Sequence, residues 1–151
     1  MWERLRRFSG LPRPAKALFL RALFLLPILT ISLRLSGFKK TRQRLQGALA
    51  GRKPIAAGED PAANISLTTS AVLAAIRYSL FPSTCLERSL ALWWLLSRQG
   101  IASQLRIGVR TAEQKFSAHA WVEFDGMALG EPEAPHAHYA AFMEEFSGDT
   151  L

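Results

Sequence analysis

From Ala15 to Leu35 the chain is crowded with apolar residues: Ala17-Leu18-Phe19-Leu20, Ala22-Leu23-Phe24-Leu25-Leu26, then Ile28, Leu29, Ile31 and Leu33. A bilayer span needs ~20 apolar residues without internal charge. Here Arg21 and Arg34 bracket only twelve uncharged residues, with Pro27 between them. The stretch reads as a buried helical hairpin or an interfacial helix, and no clean small-residue cleavage site follows it to make it a signal peptide. Phe38 to Ala50 continues as a basic amphipathic helix. Residues 51–65 are rich in Gly, Pro and Ala and read as a linker or surface loop. Ser66 to Leu80 is predicted helical, with Ala71, Val72, Ala74, Ala75, Ile76 and Leu80 on its apolar face, and Phe81-Pro82 ends it.

Ser83-Thr84-Cys85-Leu86-Glu87-Arg88 starts the next helix. Thr84 followed three residues later by Glu87 is a capping box, which puts Cys85 at the first helical position. Leu86, Leu90, Trp93 and Trp94 recur at helical spacing, and Gly100 supplies the left-handed stop. The period then changes. Ser103 to Arg110 alternates as a half-buried strand, with Leu105, Ile107 and Val109 on one face. Thr111 to Lys115 reads as a polar turn and Phe116 to Phe124 as a second strand. Asp125-Gly126 is a hairpin turn, and Met127 to Glu131 reads as a third strand. Pro132 and Pro135 end regular structure, and Tyr139 to Phe146 reads as a short acidic helix. The order is helices first and an antiparallel meander after them, an α+β fold. A basic N-terminal helical region (1–53) and a linker (54–65) precede a core at 66–151, in which a helical hairpin packs on a small antiparallel sheet.

Charge divides the chain in the same place. Residues 1–53 hold thirteen Lys/Arg against Glu3 alone, a net of +12; the rest holds six basic residues against eleven acidic ones, a net of −5. The basic part suits an anionic lipid surface or an acidic protein partner, or is simply a solvated face. Nucleic acid is not expected, because no recognition motif is present and the aromatics are not interleaved with the charges. The single cysteine permits no internal disulfide, which suits a reducing compartment such as the cytoplasm.

Cys85 is therefore either a small core residue or a nucleophile. The first helical position favours the second role, because unpaired N–H groups and the positive end of the helix dipole stabilise an anionic sulfur. His119 lies in the second strand, on the face shared by Ser117, Trp121 and Glu123. Glu131 follows across the Asp125-Gly126 turn, where an adjacent strand can bring its carboxylate beside the imidazole. Nucleophile, base and orienting acid are the parts of a triad. Glu123 and Asp125 compete with Glu131 for the acid's place. His136 and His138 lie two apart near the C-terminus, but without a paired ligand motif they read as an exposed loop and not a metal site.

Cys85-Leu-Glu-Arg-Ser-Leu-Ala-Leu-Trp-Trp-Leu-Leu, Leu105-Arg-Ile-Gly-Val-Arg110 and Ala118-His-Ala-Trp-Val-Glu123 with Asp125-Gly126 resemble the leader peptidases of lasso-peptide biosynthesis. The closer likeness is to the stand-alone protease half of the split maturation protein, in the transglutaminase-like branch of papain-like cysteine peptidases. It covers residues 83–131 well and the N-terminal helices loosely. It implies a transglutaminase-like/papain-like core and a triad of Cys85, His119 and Glu131, where the family often has Asp as the acid. It also implies a ribosomally made precursor peptide as substrate; no cofactor and no metal are expected. The implied partners are a separate leader-recognition protein and an ATP-dependent cyclase, with peripheral membrane contact as a further expectation. Two other readings stand beside it: another Cys-His-acid acyl-transfer enzyme, or a non-catalytic peptide-binding or membrane adaptor.

Overall fold

The computed structural model describes residues 12–53, 60–112, 115–132, 135 and 139–141. Three helices, α1 (Arg13–Gly47), α2 (Ala62–Tyr78) and α3 (Cys85–Arg98), precede four strands, β1 (Gln104–Ala112), β2 (Lys115–Phe124), β3 (Met127–Ala128) and β4 (Ala140–Ala141). The strands form one antiparallel sheet in the order β3-β2-β1-β4. The fold is α+β, with α3 packed on β2 and with α1 and α2 packed on α3 and on each other.

α1 is two arms joined at Gly37, whose φ of 74° with ψ of 176° breaks the helix at a residue with no Cβ to resist it. Across the bend the hydroxyls of Ser32 and Thr41 lie 2.9 Å apart, and Arg44 donates to Ser36 Oγ at 3.0 Å. The apolar run of residues 15–35 is thus one continuous helical arm, not a hairpin in itself; the reversal comes after it. The arm buries Ala15, Leu18, Ala22, Leu25, Leu26 and Leu29 along one side. Leu26 and Leu29 enter the same core as Val72, Leu90, Trp93, Leu105 and Val122, so the basic helical region and the strand-bearing region share one hydrophobic interior.

α2 begins at Ala62, inside the segment read as linker; Pro61 stands at the cap position, and Asp60 Oδ1 accepts the Ala62 N–H at 2.9 Å in the turn that leads in. It stops at Tyr78, before the predicted end at Leu80, and leaves Leu80 and Phe81 exposed on the connection to α3. α3 starts as the sequence requires. Glu87 N–H donates to Thr84 Oγ1 at 3.3 Å, and Thr84 N–H donates to Glu87 Oε2 at 2.8 Å. Glu87 is 5% exposed, so its carboxylate is committed to the cap. Gly100, at φ 76°, ends the helix.

β1 and β2 pair from Gln104↔Glu123 to Ala112↔Lys115, so the turn between them is shorter than the predicted Thr111–Lys115. Asp125 (φ 48°) and Gly126 (φ 75°) form the tight turn into β3. β3 pairs only over Met127 and Ala128; Leu129 N–H still reaches Val122 O at 2.8 Å, and then the chain turns away. Ala140 and Ala141 form a strand at the open edge of β1, opposite Val109 and Gly108, and not the start of a helix. The edge of β1 offers its backbone groups to whatever chain reaches it, and that long-range pairing overrides the helical propensity of Ala. Residues 142–146, the rest of the predicted acidic helix, lie outside the described residues.

Because the α3 cap is a reciprocal pair with one buried member, Thr84→Ala is expected to cost about 1 kcal/mol, read as a lower urea midpoint with unchanged slope.

Candidate active site

Cys85 is half-buried at the first position of α3 and is the chain's one free thiol. One turn further on, Ser89 donates to Ala120 O at 2.8 Å, beneath the surface. Residues four apart share a helix face, so Cys85 lies about one turn, ~5 Å, along that face from the contact that pins α3 to β2 beside His119. Among the described residues no hydrogen bond joins Cys85 to His119 or Glu131.

His119 and Glu131 are in contact. His119 Nε2 lies 3.1 Å from Glu131 Oε2. An ionised carboxylate only accepts, so Nε2 is the donor in this contact, and in a neutral imidazole Nδ1 is then the nitrogen with the lone pair. Neither rival acid reaches the imidazole. Glu123, 8% exposed, accepts from Trp121 Nε1 at 2.8 Å and from Arg106 Nε at 3.1 Å, and Arg106 also donates to Gln104 Oε1 at 2.8 Å. Asp125 occupies the positive-φ turn position.

The other oxygen of Glu131 is held by Arg88. Its Nη2 donates to Oε1, an ion pair in which the Glu131 side chain is 9% and the Arg88 side chain 26% exposed. A carboxylate with so little water access needs both oxygens satisfied. Arg88 stands three residues after Cys85 on α3, so the helix that carries the thiol also grips the acid that holds the histidine. The sequence reading gave Arg88 no task. Its signal was a cation one turn from the candidate nucleophile, just ahead of the apolar run Leu90–Leu96.

Gly130 directs Glu131 toward these partners. Its φ is 69°, and a Cβ there would meet Thr69 Cγ2 at 3.0 Å. Thr69, Leu73, Arg88, Gly130 and Glu131 line a shallow crevice at this point. The imidazole is packed from the other side: Trp121 stacks on it with centroids 5.9 Å apart, and Tyr139 lies at 5.3 Å with Arg110 over its ring. Gly108, opposite His119 in the ladder, makes room for this, since a Cβ there would sit 2.8 Å from Trp121 Cη2. His136 and His138 lie outside the described residues. Among the described residues no group of three or more His, Cys, Asp or Glu is placed to hold a metal.

The family model of the Transglutaminase-like superfamily matches residues 25–144, and the chain belongs to that superfamily. No curated protein and no solved structure matches it. The superfamily consists typically of cysteine-based enzymes, and membership suggests an activity of the acyl-transfer or peptidase type.

Removing Arg88 strands one oxygen of a nearly buried carboxylate, so Arg88→Ala is expected to cost about 1–3 kcal/mol. Gly130→Ala forces a side chain into left-handed backbone and is expected to cost about 1–2 kcal/mol. Both are read by urea denaturation, and an exposed-site control such as Gln43→Ala should show no comparable loss.

Proposed function

We propose that this chain is a cysteine peptidase that removes the leader from a ribosomally made lasso-peptide precursor. Cys85, His119 and Glu131 are its nucleophile, base and orienting acid. The observation that carries the proposal is the arrangement around the histidine: Glu131 holds Nε2, and Arg88 of the Cys85 helix holds Glu131. That leaves Nδ1 as the only imidazole lone pair able to take the thiol proton. The sequence resemblance over residues 83–131 narrows the superfamily's chemistry to leader removal.

In this mechanism Nδ1 accepts the proton of Cys85 Sγ as the sulfur attacks the carbonyl that joins leader to core. The oxyanion receives the Cys85 backbone N–H, which at the first helical position has no intrahelical acceptor. Collapse breaks the C–N bond, and the imidazolium returns its proton to the departing core α-amine. The leader remains as a thioester on Cys85. Water then gives a proton to Nδ1, attacks the thioester and releases the leader carboxylate with the free thiol. The new α-amine is the group that an ATP-dependent cyclase joins to a side-chain carboxylate of the core. A separate recognition protein presents the leader, and the setting is the cytoplasm.

Superfamily membership supports a second reading, acyl transfer to an amine in place of water. It differs only in the acceptor that resolves the thioester.

Intact-mass analysis of precursor, leader-recognition protein and this chain separates the readings. Leader-sized mass loss is expected with wild type, and Cys85→Ala should lower its rate by more than about 10⁴-fold while remaining folded. Incorporation of a primary amine into a glutamine substrate would favour the second reading. A folded wild type that leaves a leader-bound precursor uncut contradicts the peptidase.

A further inference from the structure

The outer side of the first α1 arm carries Leu20, Phe24, Ile28, Ile31 and Leu35, which are 43%, 67%, 60%, 58% and 81% exposed. At about 100° per residue the five fall within about 80° of one another, with Arg21 about 20° beyond one edge and Arg34 about 40° beyond the other. Both arginines are exposed. No side chain within the stripe can donate or accept a hydrogen bond. Beyond Gly37 the second arm adds exposed Lys39 and Lys40, and across residues 12–53 the chain has ten Lys/Arg and no acidic residue.

We propose that this stripe seats on an anionic membrane surface, with the first α1 arm lying in the plane of the headgroups. The charge pattern selects that occupant: a convex apolar ridge bordered by cations on both edges matches an acyl boundary below negative headgroups. Arg98 adds to the positive field near Arg21. Its guanidinium is held below the ordinary arginine value by burial, then by the repulsion of Arg52 and Arg21, and no carboxylate among the described residues pairs with any of the three. An external anion relieves that repulsion.

The helix lies on the surface and does not cross it. By length and composition α1 could span a membrane. However, Arg21 and Arg34 stand only ~20 Å apart along the axis, against ~30 Å of hydrocarbon. Crossing would also strip Leu25, Leu26 and Leu29 from the core they share with α2 and α3. The docked face is the one opposite that core, so seating leaves the fold and the cysteine helix intact.

The test is flotation of the full chain with equimolar phosphatidylcholine/phosphatidylglycerol vesicles, beside phosphatidylcholine alone. Wild type is expected to float with the mixed vesicles and to be released by salt. Phe24→Ser with Ile28→Ser, and separately Arg21→Glu with Arg34→Glu, should each weaken binding at least about tenfold with unchanged circular dichroism. A wild type that stays in solution, or binding that survives both double substitutions, overturns the proposal. So does a vesicle-free dimer that the Phe24→Ser, Ile28→Ser variant dissociates, which would assign the stripe to a second copy of the chain.

Discussion

Glu131 sits between two nitrogen donors from different layers of the molecule, a guanidinium from the helix that bears the cysteine and an imidazole from the sheet. With its carboxylate largely shut off from water, neither contact is optional: an unpaired oxygen there is expensive, so the helix, the histidine strand and the loop after β3 are held to one another's positions. The rest of the structure serves that placement. The α3 cap fixes where the helix begins, Ser89 ties its first turns to Ala120, and Gly130 takes the left-handed backbone that turns Glu131 inward.

The aromatic layer matters for the same reason. An imidazole held at one nitrogen can still rotate about its other bonds. Trp121 and Tyr139 flank its ring, and Trp121 is in turn anchored to Glu123, itself gripped by Arg106. Two acid-centred networks therefore meet on β2, one through His119 and the other through Trp121 and Glu123. One orients the histidine directly and the other stiffens the platform on which it stacks.

What could be read in the sequence was what local chemistry controls. The capping box, the Gly100 stop and the Asp125-Gly126 turn depend on residues within a few positions of one another, and each is where its pattern puts it. Less visible were features that need a partner far along the chain. The edge strand at Ala140-Ala141 exists because β1 has an unpaired edge, and nothing local to two alanines announces it. Arg88 has its partner forty-three residues away. The break at Gly37 was hidden by helical sequence on both sides, while the early start of α2 falls in a stretch of Gly, Pro and Ala whose composition reads as a loop. The hairpin turn brought Glu131 toward His119, and position left Glu123 and Asp125 as rivals; the contacts of Arg106 and Trp121 show Glu123 already occupied.

The central claim is that His119, held by Glu131, activates Cys85. Because the chain has one cysteine, intact mass after timed iodoacetamide treatment reports the reactivity of that thiol alone. The account predicts alkylation of the folded wild type at least about tenfold faster than of folded His119→Ala. Equal rates in the two folded proteins would contradict it and return Cys85 to the core.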